Sequence, residues 1–421
     1  MLDTLKKAWR IPDLRSKILF TLAMLFIFRL GANIPIPGMN RELLLASTTA
    51  QEGLLGFFNL MSGGAFGNVS LFALGISPYI TASIVMNLLQ IAVPYFENLA
   101  KEGETGRKKM AQYTRYLAVV LALFQGLAMA STIFRPFFNN YNGFSLFIAV
   151  LSLTAGTAFL MYLGEKINEN GIGNGISMFI YAGIISRLPV SLYATWFRLM
   201  AGDINILNIL LFALVAIAIV AGVVFITEGQ RRIPVQYSKR VVGRKMYGGH
   251  TSHIPLKVNQ TGVIPIIFAI SILMFPGTLT ALIWPNTAAA NFFQNSFTSA
   301  NFWYNLFYAV LIIFFTYFYT SVTFNPIEIA ENMKKNGGFI PGIRPGTPTT
   351  NFIARSLNRL TIVGAVFLAL IAILPTIILV VGKMPMGFGG TSLLIVVGVA
   401  LETVKQIEAQ MVMRHYKGFL K

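Results

Sequence analysis

Residues 205–227, NILNILLFALVAIAIVAGVVFIT, run 23 positions without a charge. A helix of that length reaches about 34 Å at 1.5 Å per residue, enough to cross a hydrocarbon core of about 30 Å. Lipid offers no hydrogen bonds to backbone groups, so a segment this apolar crosses as a helix that satisfies its own. Nine further segments read the same way, near 16–34, 75–93, 114–133, 145–164, 174–194, 261–283, 304–325, 359–381 and 391–411. Only 11% of the 421 residues are charged, whereas a soluble domain carries about 25%. The fold class is therefore an all-α polytopic membrane protein with ten transmembrane helices. No apolar core with a small-residue cleavage site follows the basic start MLDTLKKAWRIPDLRSK, so no cleaved signal peptide is expected.

Lysine and arginine set the orientation. The N-terminus, the segments near 94–115, 165–174, 228–260 and 326–359, and the C-terminal tail hold 27 of the 33 basic residues. The opposite side receives Arg41, Arg135, Arg187, Arg198 and Lys383, and Arg29 lies inside the first span. By the positive-inside rule both termini are cytoplasmic. This basic face suits anionic lipid, nucleic acid or an acidic protein, as well as setting topology.

SGGAFGNVS, residues 62–70, interrupts an otherwise apolar stretch. In GISPYITASIV, Ser77 is a favoured N-cap and Pro78 fits the first helical position, so the second membrane helix is expected to begin at about 77. The stretch 57–72 is then too apolar for an ordinary outer loop and too broken for lipid. Non-helical backbone at membrane depth survives where it is buried in protein or lines a cavity. A re-entrant segment in an outward-opening cavity is expected; the alternative is a segment lying flat on the outer surface.

Ten spans divide into two five-helix halves, 1–200 and 201–421, inverted relative to each other as in many transporters. That pairs the second span with the seventh and the fifth with the tenth. Ile80 and Ile84 in the second span, and Ile180 and Ile184 in the fifth, are i, i+4 pairs on one helical face. Taken alone, such pairs are packing or lipid-facing residues. The spans are nearly bare of ionisable groups at mid-membrane: Arg29 lies in the first and Glu402 in the tenth, and either is able to reach an interface by snorkelling. A secondary transporter for a small solute requires a polar mid-membrane site, and an intramembrane enzyme requires a catalytic constellation; neither is legible. There are no cysteines, and His250, His253 and His415 all fall in polar segments, so no metal or other cofactor is expected. GIGNG, 171–175, reads as a tight turn into the fifth span. A passive conduit fits this pattern.

Two long cytoplasmic arms remain, about 228–260 and 326–356. RRIPVQYSKRVV alternates as a hairpin strand does. NPIEIAENMKKNGGFIPGIRPG reads as a short helix and then a Gly/Pro-fixed turn displaying Arg344, a stiff tip that loses little freedom on docking a partner.

IPIPG (34–38), FALGISPYITASI (72–84), GIGNGIS (171–177), PVQYSKR (234–240), IPLKVNQTGVIPIIFA (254–269), the 325–346 stretch and GGTSLLIVV (389–397) together resemble the SecY family, the central subunit of the bacterial Sec protein-translocation channel. The resemblance covers essentially the whole chain. It implies an hourglass pore sealed by a ring of Ile80, Ile84, Ile180, Ile184, Ile267 and Ile395. Apolar side chains of this kind resist wetting and close around a chain of any sequence. About 58–72 becomes a plug, carried by Phe58, Met61, Gly63, Gly64, Phe66 and Asn68, whose small residues suit a weakly held segment. Spans two and three face seven and eight across a lateral gate marked by Asn87, Pro276 and Thr278; Pro276 either loosens this seam or is a static kink. Arg231, Arg232, Lys239, Arg240, Arg244, Lys245 and Arg344 are the implied docking residues for the SecA motor ATPase or the ribosome. SecE clamps the halves and SecG joins. Unfolded secretory polypeptides, signal peptides and anionic lipids complete the implied partners, in the bacterial plasma membrane. No nucleotide-binding loop is present, so the driving energy comes from a partner or from the membrane potential.

Overall fold

The computed structural model describes residues 6, 8–40, 59, 62–202, 205–237, 240–242, 245–247, 251–283, 287, 301–381 and 390–418. Helices dominate: α1 (Pro12–Gly31), α2 (Ser77–Ala92), α3 (Pro94–Lys101), α4 (Glu104–Ser131), α5 (Gly143–Asn170), α6 (Gly175–Met200), α7 (Ile206–Glu228), α8 (Ile264–Ile283), α9 (Phe302–Thr323), α10 (Pro326–Lys335), α11 (Thr347–Val381) and α12 (Gly390–Gly418). Each of the ten expected spans falls on one of these, with α3 and α10 as the short extras. Among the described residues six helices are long and apolar enough to cross a membrane, and the bent pair α2–α3 makes a seventh. On α7 only Ile219, Val223 and Ile226 are buried, while Leu207 and Phe225 are about three-quarters exposed. A helix that shows apolar groups on nearly all sides is facing lipid.

Local chemistry sets the breaks. Pro78 sits in the first turn of α2, where a missing N–H costs nothing. The N-cap position is Ile76, not Ser77, and no side chain caps the helix. Val93 is extended and Pro94 opens α3, which turns 98° away from α2. Pro265 falls in the first turn of α8 and bends nothing, whereas Pro276 lies inside that helix. The 171–174 turn is tied to three helices: Ile172 N–H donates to Thr21 Oγ1 (3.0 Å), Gly173 N–H to Gln406 Oε1 (2.6 Å) and Gly175 N–H to Asn168 Oδ1 (2.8 Å). Asn174 caps α6 by accepting from Ile176 and Ser177.

Helix α2 packs along α4, and α4 along α5; α8 packs along α9, and α9 along α11. Helix α12 lies against α6, α7 and α11, and its contact with α6 is the extensive helix packing that joins the first half of the chain to the second. Among the described residues neither α2 nor α4 packs extensively on α8 or α9.

The two arms form one folded unit. Strand β1 (Gln230–Tyr237) pairs antiparallel with β4 (Thr251–Lys257), Ile233 opposite Ile254, and on its other edge with β5 (Gly338–Phe339). A separate hairpin joins β2 (Arg240–Val242) to β3 (Lys245–Tyr247). Alternation along β1 turns Ile233 and Val235 inward, where they meet Leu256, Met333, Ile340 and Ile353 in a shared core.

Candidate pore seal and plug

The six isoleucines come from α2, α6, α8 and α12, four helices drawn from both halves. Ile80, Ile84, Ile180, Ile184 and Ile395 are buried in a single apolar cluster, and Ile267 packs partly buried against it. One helical turn along α6 separates Ile180 from Ile184, and the same spacing holds for Ile80 and Ile84 on α2, so each helix offers two levels of the same face.

The segment 62–76 is a chain of tight turns lodged between this cluster and a second one. Ala65, Phe72 and Ile76 belong to the isoleucine cluster. Phe66, Val69, Ala73 and Leu74 belong to the other, with Phe134, Phe138 and Leu153. The segment is closed on itself. Gly64 N–H donates to the Asn59 carbonyl (2.7 Å), Ser70 N–H to the Ala65 carbonyl (3.0 Å), Phe66 N–H to Ser62 Oγ (3.1 Å) and Gly67 N–H to Asn59 Oδ1 (2.9 Å). Buried backbone must find partners, and here it finds them internally, through two polar side chains, Asn59 and Ser62, that the sequence pattern did not single out. The far end is tied to IPIPG: Ile36 N–H donates to the Val69 carbonyl (2.9 Å) and Leu71 N–H to the Ile34 carbonyl (3.0 Å).

Gly63 and Gly64 have φ of 66° and 93°, a region that L side chains rarely adopt. A Cβ on Gly63 would stand 2.9 Å from the Gly183 Cα, the residue before Ile184. The glycine pair thus lies directly on α6 beside the isoleucines. Asn68 Nδ2 donates to Asn33 Oδ1 (3.1 Å). Phe58 and Met61 lie outside the described residues.

Two arginines gain partners. Arg29, half-buried in the last turn of α1, gives its Nη1 to the Gly63 carbonyl at 2.6 Å. Arg187 belongs to α6 rather than to an outer loop, and its guanidinium abuts Gly64, where a Cβ would come within 2.9 Å of Nη2.

The remaining expected sites are less gathered. Arg231 and Arg232 are exposed on β1, and Arg344 is exposed in the turn after β5. That turn is held by Thr349 Oγ1 donating to the Arg344 carbonyl (2.9 Å) and by Gly342 and Gly346 at φ of 81° and 101°. Lys239 and Arg244 lie outside the described residues, as do the side chains of Arg240, Lys245 and Thr278. Asn87 on α2 and Pro276 on α8 are half-buried, on the two sides of the seam that lacks extensive packing.

The family model described as SecY matches residues 70–404. The chain is 51% identical to the protein translocase subunit SecY of Halalkalibacterium halodurans, over the whole of both chains. It is 42% identical to that of Thermotoga maritima, over the whole of this chain and 98% of the relative. Among solved structures, one described as a protein conducting channel aligns with a TM-score of 0.68 at 19% identity, covering 94% of this chain and 93% of that one. A second, described by a plug domain that stabilises the closed state of SecY and maintains a membrane seal, gives 0.64 at 20% identity over 94% and 92%. Canine Sec61 from a ribosome–channel complex gives 0.63 at 18% identity over 94% and 93%. The fold and the full-length similarity agree: the chain belongs to the SecY family of protein translocase subunits.

Proposed function

We propose that this chain is the pore subunit of a protein-conducting channel that passes unfolded secretory polypeptides across the bacterial plasma membrane, with both termini cytoplasmic. The observation that carries the reading is the gathering of Ile80, Ile84, Ile180, Ile184 and Ile395 into one buried cluster, with a non-helical glycine segment seated beside it. The isoleucines form the seal and 58–72 the plug. A ring of branched apolar side chains excludes water and ions when closed, yet binds no particular side chain when a polypeptide is present. The seal comes from both halves, and these halves are joined along α6–α12. The α2/α4 pair is therefore free to part from α8/α9, with Asn87, Pro276 and Thr278 along the opening, and to release signal peptides and membrane segments into lipid. A secondary transporter for a small solute has no comparable support. The chain itself carries out no catalysis in this reading.

Partners supply the force. The shared core under the two arms makes one stiff basic platform for SecA or the ribosome, with SecE clamping the halves, SecG alongside and anionic lipid at the basic rim. Changing Arg344→Glu is expected to weaken SecA binding about tenfold or more, as reversal of a docking charge does, with insertion of the channel unchanged. Export assays in membrane vesicles check this; normal SecA-driven export would remove Arg344 from the docking site. Deleting residues 60–70 is expected to leave an inserted channel with raised resting conductance in planar bilayers. A deletion channel as tight as the parent would show that this segment is no plug.

A further inference from the structure

Arg29 and Arg187 reach the same two glycines from opposite helices. Arg29 on α1 gives Nη1 to the Gly63 carbonyl at 2.6 Å, and Arg187 on α6 lies against Gly64. Among the described residues no carboxylate pairs with either. Ion pairs join Lys101 to Glu97, Lys108 to Glu104, Arg115 to Glu165, Lys166 to Glu169 and Lys405 to Glu228. Taking a guanidinium into an apolar bundle is costly unless it finds acceptors. In the closed channel the acceptor for Arg29 is the plug's own backbone.

We infer that Arg29 is the latch that holds the plug in its closed seat, with Arg187 as the stop against which Gly64 rests. The inference rests on the reading of 58–72 as a plug. Three features support it. The hydrogen bond has a charged donor and is short, the class of contact about twice as strong as a neutral pair. Its acceptor is a main-chain carbonyl, so the grip does not depend on which side chains the plug carries. Its fit requires glycine at 63 and 64. A side chain at 63 strikes the α6 backbone, one at 64 would displace the Arg187 guanidinium, and both positions hold φ values that favour glycine. The plug's other backbone bonds are internal except at its far end, where two run to 34–36, so its near end is able to swing out about that tie when this contact breaks.

The test is a set of planar-bilayer conductance measurements on the purified channel complex, comparing Arg29→Met, Arg29→Lys, the 60–70 deletion, and the deletion combined with Arg29→Met. Loss of one charged hydrogen bond is expected to raise resting conductance of the Met variant about tenfold to a hundredfold. Arg29→Lys keeps a cationic donor and is expected to recover most of the seal. In the deletion background Arg29→Met is expected to add nothing, because the latch has nothing left to hold. If the deletion leaks while Arg29→Met stays tight, the latch is wrong and the plug stands. If the deletion itself stays tight, the plug reading falls and the latch with it. Additional leak from Arg29→Met on top of the deletion would show that Arg29 braces the helices, and this too overturns the latch. Should the Met variant fail to assemble, Arg29→Gln, which keeps a shorter neutral donor, is expected to leak more than Lys and less than the deletion. Equal tightness of Gln and the parent would overturn the proposal.

Discussion

Replacing Ile84 and Ile184 together by serine is expected to convert a sealed channel into a conducting one. Both side chains are buried in the cluster that unites α2, α6 and α12. Each loses about 1.5–3 kcal/mol of apolar burial, and each hydroxyl gives water a partner inside the constriction. Two such changes favour the wetted or parted state by roughly a hundredfold or more, since every 1.4 kcal/mol is about tenfold. Single-channel recordings check this: frequent openings without substrate are expected from the double serine variant, whereas valine at both positions is expected to stay near parental tightness. A serine pair as silent as the parent would mean that the seal lies elsewhere.

Gly175→Val is expected to destabilise the fold as well as the seal. A Cβ at this position would stand 2.1 Å from the Gly164 carbonyl oxygen and 2.7 Å from its Cα and carbonyl carbon, all backbone atoms of α5. Backbone cannot rotate aside as a side chain does, so α6 must shift bodily away from α5. Overpacking costs typically about 1–3 kcal/mol, and here the shift also pulls on the Asn168 bond and carries Ile180 and Ile184 with it. Thermal unfolding in detergent is expected to show a clearly lowered midpoint, with raised conductance in whatever fraction assembles. Gly143→Val is the control, since nothing lies within 4 Å of its Cβ direction and its φ is not in the left-handed region. A Gly175→Val channel with parental stability would contradict the backbone contact.

Gly175 also marks the limit of what the sequence tells. GIGNG reads correctly as a turn into α6, because glycine and a capping asparagine are local signals. That its last glycine is needed by a neighbouring helix is a fact about residue 164 and is not local. The same division holds through the molecule. Each span expected from hydropathy falls on a helix, and Pro78 located the start of α2, because both report on a few consecutive residues. The alternation in β1 exposed a strand, but its pairing to β5 across about a hundred residues, and so the common core of the two arms, had no sequence signal.

The seal sits between these cases. Spacing alone made Ile80 and Ile84, or Ile180 and Ile184, ordinary packing residues, and they became a ring only through resemblance. Their meeting with Ile395, more than 200 positions away, is visible only in the fold. Charge shows the same limit. Counting arginines by segment places Arg29 and Arg187 along the chain but names no partner. The Arg29 guanidinium meets the Gly63 carbonyl and that of Arg187 lies against Gly64. Asn59 and Ser62 were passed over likewise: a polar residue in an apolar run announces a buried partner without naming it.

The most direct test of the channel reading is site-specific photocrosslinking from Ile84 and Ile395 to a secretory protein stalled midway, in membranes supplied with SecA and ATP. Crosslinks from both positions to the translocating segment are expected, because both side chains belong, from opposite halves, to the one cluster proposed as the seal. With SecA bound and substrate engaged, absence of crosslinks from both would contradict it and make these isoleucines the interior of a bundle whose conduit lies elsewhere.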